Sequence, residues 1–224
     1  MRYAGGKGVS FRRIVNLIPP HRTYIETHLG GGAVLRNKRQ AELDIGIDID
    51  PEVISTWKRI YGARYQIFHR DACDFLRSRT ISGDEVIYSD PPYLPSTRRR
   101  SVVYRHDYTE KDHERLLETL TSLRCFVLIS GYDSALYRYT LRNWNVITFT
   151  VGSHSGVRQE NIWFNFEPPR QLHDPRFLGD SFRKREVIKR RIERLCRRME
   201  SLSSPERHQL LGWLQSRCDE EGAV

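Results

Sequence analysis

The sequence has no long apolar run and little cysteine, and both scarcities narrow the range of proteins that it can encode. No stretch approaches the roughly 20 apolar residues that a membrane-spanning helix needs, and the amino terminus lacks the apolar core of a signal peptide. The four cysteines stand far apart and form no CxxC pair, which argues against a zinc site and favours reduced, mostly packed thiols. We therefore expect a cytoplasmic protein without a bound metal.

Internal repeats and low-complexity tracts are also missing, so the 224 residues fit one domain of ordinary size with an appendage. Acidic residues are too few to balance the basic ones, and the formal net charge is +9. This balance favours a polyanionic partner, because Lys and Arg displace condensed counterions from nucleic acid. Most of the excess lies in segment 183–198, where nine basic residues stand against two acidic ones.

Short runs rich in β-branched and aromatic residues alternate with segments of helical spacing. The runs are Thr23–Thr27, Leu43–Asp48, Tyr65–His69, Glu85–Ser89, Cys125–Ser130, Asn145–Val151 and Asn161–Phe166. This alternation predicts a mainly parallel sheet with helices on both faces, which is an α/β fold. The last two runs flank a turn-rich stretch and are predicted to form an antiparallel hairpin.

The segment 167–170 contains two prolines and separates a predicted domain, residues 1–169, from a predicted basic helical extension, residues 170–224. In the extension, apolar residues recur at alternating steps of four and three, from Ile188 to Leu202. Such a seam predicts an amphipathic helix. Its basic residues, among them Arg185 and Lys189, either form a solvated face or contact DNA, and the apolar seam could pair two chains in a homodimer.

The tetrad Asp90-Pro91-Pro92-Tyr93 directly follows an apolar strand. Each proline fixes its own φ angle and lacks an N–H donor, so a rigid loop is expected at a strand's carboxyl end, where ligands bind in open α/β sheets. The Asp90 carboxylate and the Pro91 carbonyl can accept both N–H bonds of an exocyclic amine and stabilise the charge that develops during methylation. Tyr93 could stack on a base flipped out of a duplex. A tight turn without this chemistry is the alternative.

A glycine-rich turn, Gly30–Gly32, follows the first predicted strand. Glycines let the backbone turn tightly and approach a ligand, and an acid about 20 residues later suits a ribose hydroxyl pair. Asp48 fits this position better than Asp50, which is expected to cap a helix. Glu26 disfavours a pyrophosphate and suits the cationic groups of S-adenosylmethionine. Asp71 either accepts the adenine amino group of the cofactor, caps a helix, or does both.

Taken in order, these motifs resemble those of the Dam-like, D12 class of DNA adenine-N6 methyltransferases. The matching segments are Tyr3–Lys7, Tyr24–Gly32, Asp48, Asp71, Asp90–Tyr93, Val127–Gly131 and Glu160–Asn165. They span roughly residues 1–169, which the resemblance identifies as the catalytic domain. The resemblance implies a Rossmann-like S-adenosylmethionine-dependent methyltransferase fold, with a seven-stranded, mainly parallel sheet.

The resemblance also implies roles for individual residues, with S-adenosyl-L-methionine as the cofactor. Tyr3 and Lys7 would contact the cofactor, with Lys7 near its carboxylate. The methionine part would lie against Glu26, Gly30 and Gly32, the ribose against Asp48, and the adenine ring against Asp71. Asp90, Pro91, Pro92 and Tyr93 form the catalytic motif.

The sequence departs from the family pattern where family members recognise DNA. The long target-recognition insert that usually precedes the catalytic motif is replaced by a short segment, and His28 and Leu29 stand in place of a bulky aromatic pair. We therefore predict that double-stranded DNA contacts the arginine-rich loop 94–108, the basic helix and the hairpin turn. The residues predicted for this contact are Arg98, Arg99, Arg100, Arg105, Arg158, Arg185 and Lys189.

The sequence thus predicts a site-specific DNA methyltransferase that acts on the N6 amino group of adenine by direct transfer, without a metal. Two alternatives remain open. One is methylation of the N4 amino group of cytosine, although the family's cytosine enzymes more often carry Ser in place of Asp90. The other is a non-catalytic DNA-binding module, which would not need Lys7, Glu26, Asp48 and Asp90. An endonuclease partner from a restriction-modification system is compatible with the sequence.

Overall fold

The computed structural model describes residues 7, 8, 10–97, 105–153, 156–179 and 181–222. The predictions for Tyr3, Arg98, Arg99 and Arg100 therefore fall outside the described residues. The chain divides into two compact units, the first ending at Pro175 and the second beginning at Arg176. The domain boundary predicted between residues 169 and 170 lies shortly before this division.

The first unit is built on one mixed sheet. Its strands, in the described part of the chain, are β1 (Thr23–Glu26), β2 (Leu43–Asp48), β3 (Gln66–His69), β4 (Glu85–Ser89), β5 (Phe126–Gly131), β6 (Asn145–Ser153) and β7 (Gly156–Phe164). Their order across the sheet is β3-β2-β1-β4-β5-β7-β6. The first five strands run parallel, and β7 is antiparallel to both β5 and β6. This topology confirms the predicted Rossmann-like fold with a terminal antiparallel hairpin.

Helices join the strands of this unit. They are α1 (Phe11–Leu17), α2 (Ala33–Asn37), α3 (Pro51–Tyr61), α4 (Ala72–Arg77), α5 (Glu110–Thr121) and α6 (Ala135–Thr140). The Asp50 carboxylate caps α3 by accepting from the Glu52 N–H at 2.9 Å, and Asp71 caps α4 by accepting from the Asp74 N–H at 3.0 Å. Both expected helix caps are confirmed, and each satisfies a backbone donor that the helix itself leaves free.

The centre of the sheet is buried on both faces, as the fully buried run of β4 shows and as expected when helices cover a parallel sheet on each side. Ile45, Ile25, Ile87 and Val127 lie side by side on four neighbouring strands and are fully buried. The same register aligns the carboxyl ends of β1, β2 and β4, because Glu26 pairs with both Gly46 and Tyr88. The segments that follow β1, β2 and β4 therefore emerge at the same edge of the sheet.

The second unit contains α7 (Phe182–Glu200) and α8 (Ser204–Gly222). Ser181 caps α7 by accepting from the Lys184 N–H at 3.2 Å. The amphipathic helix predicted from the spacing of apolar residues is thus present, but none of its residues is buried. None of the described helices combines the length and the apolar character needed to cross a bilayer.

The cysteines differ between the two units. Cys73 and Cys125 are buried in the first unit, whereas Cys196 and Cys218 are exposed in the second. The prediction of mostly packed thiols is therefore right for the first pair and wrong for the second pair. The reason is that helices α7 and α8 bury little surface of any kind.

Candidate active site

A cavity with an empty volume of about 760 Å³, which includes space open to solvent, lies at the carboxyl edge of the parallel strands. Its walls include the glycine turn after β1, Asp48 at the end of β2, Asp71 after β3, and Asp90 with Pro91 and Pro92 after β4. Lys7 and Glu26 also line it. Predicted cofactor and catalytic residues that the sequence spreads from Lys7 to Pro92 therefore line one cavity.

The glycine turn is shaped by backbone conformation and by a tryptophan beneath it. Gly30 and Gly32 adopt positive φ angles of 42° and 55°, a region that side chains disfavour. A Cβ atom on Gly32 would lie 2.1 Å from the ring of Trp57. The buried Trp57 indole N–H donates to the Gly30 carbonyl at 2.9 Å. Trp57 thus supports the turn from α3, a role that its place on a helical face does not reveal.

Asp48 connects the glycine turn to the end of β2. One carboxylate oxygen accepts from the Gly30 N–H at 2.8 Å, and the other accepts from the Asp50 N–H at 2.8 Å. Burial raises the pKa of this carboxyl group. Each oxygen keeps a further lone pair, so the ribose contact stays a prediction beside the observed structural role.

Glu26 is buried beneath the cavity. One of its oxygens accepts from the Tyr24 hydroxyl at 3.0 Å and from the Leu35 N–H at 2.9 Å. Burial raises the pKa of Glu26 to about 8, and the negative charge of Asp90 adds to this effect. A cationic ligand would favour the ionised form of this acid.

The charges of the cavity fit the predicted cofactor. In its described lining, acids outnumber cations, with Glu26, Asp48, Asp50, Asp71 and Asp90 facing Lys7 and Arg70. S-adenosylmethionine carries an ammonium and a sulfonium group, so an excess of acid suits it, whereas the phosphates of a dinucleotide would be repelled. Among the described residues, no group of His, Cys, Asp and Glu has an arrangement that could hold a metal ion.

A cluster of charged and polar groups lies at the catalytic motif. The Lys7 ammonium is 2.6 Å from a carboxylate oxygen of Asp90 and 2.7 Å from one of Glu160. It also donates to the Tyr93 hydroxyl at 2.5 Å, and that hydroxyl donates to Glu160. The structure thus brings Lys7 to the Asp90 carboxylate, while the contact of Lys7 with the cofactor carboxylate stays a prediction.

Glu160 is a member of this cluster to which the sequence assigned no role, although it begins the matching segment Glu160–Asn165. Its only local signal is a charged residue placed next to the apolar run Ile162–Phe164 of β7. An acid at that place usually indicates a solvent-facing position, since charged residues are seldom fully buried unless paired. Its partners lie far away along the chain, so only the folded arrangement shows that it is buried.

The Asp90 carboxylate is more basic than that of an ordinary aspartate. Burial raises its pKa to about 6, while the Lys7 ammonium opposes this rise and the Glu160 carboxylate adds to it. The group is therefore mostly ionised at neutral pH, and it can accept hydrogen bonds from an amine.

Tyr93 is less accessible than its predicted role as a stacking platform requires. The side chain is 8 % exposed, and its ring meets Tyr132 edge to face with 4.4 Å between the centroids. Lys7 lies 4.7 Å from the ring centroid on its face, and Tyr93 is not among the residues that line the cavity. Stacking on a flipped base stays a prediction, and in this arrangement it requires the ring to be uncovered.

His28, which replaces an aromatic residue of the family pattern, connects the glycine turn to the segment before α5. One ring nitrogen is 2.9 Å from the Thr27 hydroxyl and the other is 2.9 Å from the Tyr108 hydroxyl. Burial lowers the pKa of His28 to about 3, so the imidazole is neutral. It therefore holds Tyr108 against the cavity without adding charge to it.

The residues predicted to contact DNA take different positions. Arg105 lies 3.4 Å from the Asp50 carboxylate and also pairs with Glu52, so it is bound at the amino terminus of α3. Arg158 lies over the Tyr132 ring, 5.4 Å from its centroid, and donates to the Tyr132 hydroxyl at 3.3 Å. These two predictions stay open, because each side chain has a protein partner that DNA would have to share or replace.

Arg185 and Lys189 belong to α7 in the second unit. Arg185 donates to the Gly179 carbonyl at 3.0 Å. The Lys189 ammonium is 3.9 Å from Glu193, one helical turn away, and both side chains are more than half exposed. Such an exposed pair is weak, so Lys189 can exchange it for a phosphate at little cost. DNA contact at both residues stays a prediction.

Comparison with known proteins supports the sequence resemblance. Residues 3–80 match the model of a family described as D12 class N6 adenine-specific DNA methyltransferases. This match covers Lys7, the glycine turn, Asp48 and Asp71, and it confirms the Dam-like, D12 resemblance together with S-adenosylmethionine as the cofactor. No curated protein matches the sequence.

Solved structures of similar shape share little sequence with this chain. TrmK of M. capricolum, solved with S-adenosyl-homocysteine, is 9 % identical, with a TM-score of 0.48 over 92 % of this chain and 94 % of that one. A dimethyladenosine transferase from Plasmodium falciparum is 14 % identical, with a TM-score of 0.47 over 73 % and 62 %. The precorrin 8W decarboxylase of Methanobacterium thermoautotrophicum is 13 % identical, with a TM-score of 0.47 over 74 % and 94 %. At these scores, no conclusion about activity follows from the likeness.

Proposed function

We propose, for a chain whose first third matches the D12 adenine methyltransferases, that it transfers the methyl group of S-adenosylmethionine to the N6 amino group of adenine in double-stranded DNA. The observation that carries the proposal is that Asp90 and Pro91 line the same cavity as the glycine turn and Glu26. Direct transfer requires the donor and the amine to be held at near-contact distance. A single cavity between these strand ends meets that requirement.

The catalytic motif deals with the main chemical difficulty, which is that the amine is a poor nucleophile. Asp90 and the Pro91 carbonyl accept its two N–H bonds and stabilise the positive charge that develops on nitrogen. The nitrogen gains a methyl group and loses one proton, which Asp90 accepts. A pKa near 6 makes Asp90 a better proton acceptor than an ordinary aspartate while leaving it mostly ionised at neutral pH.

The cofactor, when bound, supplies an electrophilic methyl group on its sulfonium. Glu26 faces its cationic groups, and the backbone of Gly30 and Gly32 allows close approach. Asp48 binds the ribose hydroxyls and Asp71 binds the adenine amino group, so each acid adds a hydrogen bond to its observed role in the fold. Tyr3 and Lys7 complete the site as the resemblance implies.

The substrate adenine reaches this cavity by flipping out of the duplex, which costs a few kcal/mol of stacking and pairing energy. Phosphate contacts offset this cost, and we assign them to Arg105, Arg158, Arg185 and Lys189. The arginines at 98, 99 and 100, outside the described residues, extend this set. We also keep the predictions that the protein has a partner endonuclease and that it forms a homodimer.

The proposal is tested with tritium-labelled S-adenosylmethionine and unmethylated duplex DNA. We expect label in DNA, recovered as N6-methyladenine after digestion to nucleosides. Asp90→Ala should lower incorporation by about 100-fold or more, while calorimetry still detects cofactor binding. Asp133→Ala, which removes a half-exposed carboxylate beyond β5, is the matched control and should act like the wild type.

Other outcomes would contradict the proposal in recognisable ways. Label recovered as N4-methylcytosine would replace adenine by cytosine as the substrate. Absence of binding heat with S-adenosylmethionine would favour a non-catalytic module. Full incorporation by Asp90→Ala would show that the catalytic motif is misassigned.

A further inference from the structure

A carboxylate outside the cavity is buried beside the catalytic motif. Glu160 lies on β7, where it pairs with Phe149 of β6, and it is 5 % exposed. It is not among the residues that line the cavity. A buried carboxylate is unfavourable unless it is paired and hydrogen-bonded, so its partners explain why it is tolerated there.

Both partners of Glu160 belong to the site. The Lys7 ammonium lies 2.7 Å away, and the Tyr93 hydroxyl donates to the same oxygen. Lys7 is also 2.6 Å from Asp90 and 2.5 Å from the Tyr93 hydroxyl. The ammonium thus forms ion pairs with the two carboxylates and donates a hydrogen bond to the Tyr93 hydroxyl. The direction of Lys7 is therefore set by groups from two separate parts of the chain, the tetrad after β4 and strand β7.

This arrangement divides the charge of Lys7 between two carboxylates. Without Glu160, the ammonium would act on Asp90 alone and would compete with the substrate amine for its oxygens. It would also stabilise the ionised form of Asp90, which would make that group a weaker proton acceptor. With Glu160 present, Lys7 still orients Asp90, but its charge is offset.

We propose that Glu160 is a positioning residue for the catalytic carboxylate, which acts through Lys7 and Tyr93 to hold Asp90 and to offset the charge of Lys7. This inference rests on the proposed methyl transfer. It adds to that reaction a residue that never touches the substrate.

The charged and titratable groups that act on Asp90 come from several elements. Lys7 precedes α1, Glu160 lies on β7, Glu26 ends β1, Tyr88 lies on β4 and Tyr137 lies on α6. Glu160 raises the pKa of Asp90, whereas Lys7 lowers it. Replacing the carboxylate at 160 by a neutral amide should therefore lower the pKa of Asp90.

The experiment compares the pH dependence of single-turnover methylation by the full-length wild type and Glu160→Gln. We expect the acid limb of the profile to move to lower pH. We also expect the rate on the plateau to fall about 10- to 100-fold, as for a lost hydrogen bond to a charged group. Affinity for S-adenosylmethionine, measured by calorimetry, should stay within about twofold, because Glu160 lies outside the cavity.

The matched control is Glu85→Gln. Glu85 is buried to a similar degree, 4 % exposed, at the opposite end of the sheet, where it accepts from Ser82 and Gly83. This change should lower stability without moving the acid limb. If Glu160→Gln also lowers the rate without moving the acid limb, Glu160 is a structural residue and the inference is wrong.

Two further measurements keep the test decisive. Glu160→Asp retains the charge, so the acid limb should return to the wild-type position even where the rate does not; a limb displaced as far as in Glu160→Gln would overturn the inference. If Glu160→Gln does not fold, the pH profile of Glu160→Asp alone tests the inference.

The second measurement is an NMR titration of Asp90. The carbon resonance of the Asp90 carboxyl, identified by its loss in Asp90→Asn, should titrate at lower pH in Glu160→Gln. This titration does not depend on methyl transfer. If the wild type is inactive, the proposed function is refuted, but the effect of Glu160 on the pKa of Asp90 can still be measured.

Discussion

The two units of the chain use charge in opposite ways. At the sheet edge of the first unit, Lys7, Asp90 and Glu160 are buried or nearly so, and each has a partner within hydrogen-bonding distance. In α7 of the second unit, no residue is buried, and the Lys189–Glu193 pair is a loose surface contact. Buried charges act at short range through specific partners, whereas exposed charges act as a screened field.

This difference has a functional counterpart in the proposed reaction. Chemistry at an amine needs a carboxylate held in one orientation, which the buried cluster provides. Attraction to a DNA backbone needs many positive charges that tolerate different positions, which the exposed helix provides. The same residue type, lysine, should therefore respond very differently to substitution in the two units.

The largest expected effect comes from Lys7→Met. It leaves Asp90 and Glu160 without their shared cation, and we expect the free energy of unfolding to fall by about 3–5 kcal/mol. Lys189→Met in α7 should change it by less than about 0.5 kcal/mol. Urea unfolding of both variants measures the difference, and similar losses would mean that the buried cluster contributes no more than a surface pair.

A methyl group added to a glycine tests the packing of the two units. Gly32→Ala combines a positive φ angle with a contact against Trp57, and it should destabilise the protein by about 2–4 kcal/mol. Gly62→Ala places its methyl group in open space and should cost about 1–3 kcal/mol from backbone strain alone, at a φ of 54° and a ψ of −127°.

The counterpart in the second unit is Gly212→Ala, which lies within α8 with nothing near its added methyl group. It should stabilise that helix by about 0.5–1 kcal/mol. Thermal unfolding followed by circular dichroism compares the three variants. A loss of stability in Gly32→Ala no larger than that from backbone strain would show that the Trp57 ring moves aside for the added methyl group.

The third effect is a pH dependence of stability that arises from Glu26. Its pKa is raised from 4.5 to about 8 on folding, so its contribution is fully present below pH 4.5 and is lost as the pH rises to about 8. His28 acts oppositely, because its lowered pKa removes stability as the pH falls below 6.5. The difference between the wild type and Glu26→Gln isolates the first group.

We therefore expect wild-type stability, measured relative to Glu26→Gln by urea unfolding, to decline by a few kcal/mol between those pH limits. Saturating S-adenosylmethionine should reduce the decline, because its cationic groups favour the ionised acid. Glu186→Gln, on α7, should leave the pH dependence unchanged. A pH-independent difference for Glu26→Gln would contradict the burial of this acid.

The smallest effect concerns the proposed DNA contact of α7. Lys189→Ala should weaken binding uniformly across DNA sequences and reduce the slope of log affinity against log salt by about one. Fluorescence anisotropy at several salt concentrations measures this slope. An unchanged slope would remove Lys189 from the DNA interface and leave the charge of α7 as a solvated face.

Several parts of this protein could be predicted from local patterns in the sequence. Short apolar runs, which alternate along the chain with segments of helical spacing, predicted the strands, because a strand buried on both faces must be apolar along its length. Asp50 and Asp71 were identifiable as caps from their position before a helix, and the glycine turn and the catalytic motif from their position after a strand. All of these signals lie within a few neighbouring residues.

The contacts between groups that are distant in the sequence became known from the folded chain alone. Glu160 meets Tyr93 across 67 positions because β7 lies between β5 and β6 in the sheet, and Lys7, which precedes α1, meets Tyr93 across 86 positions. Trp57 beneath the glycine turn and Arg105 at the start of α3 depend on packing in the same way. A contact between distant side chains leaves no periodicity in the sequence, so the tetrad Asp90–Tyr93 could be recognised from the chain, whereas its contacts with Lys7 and Glu160 could not.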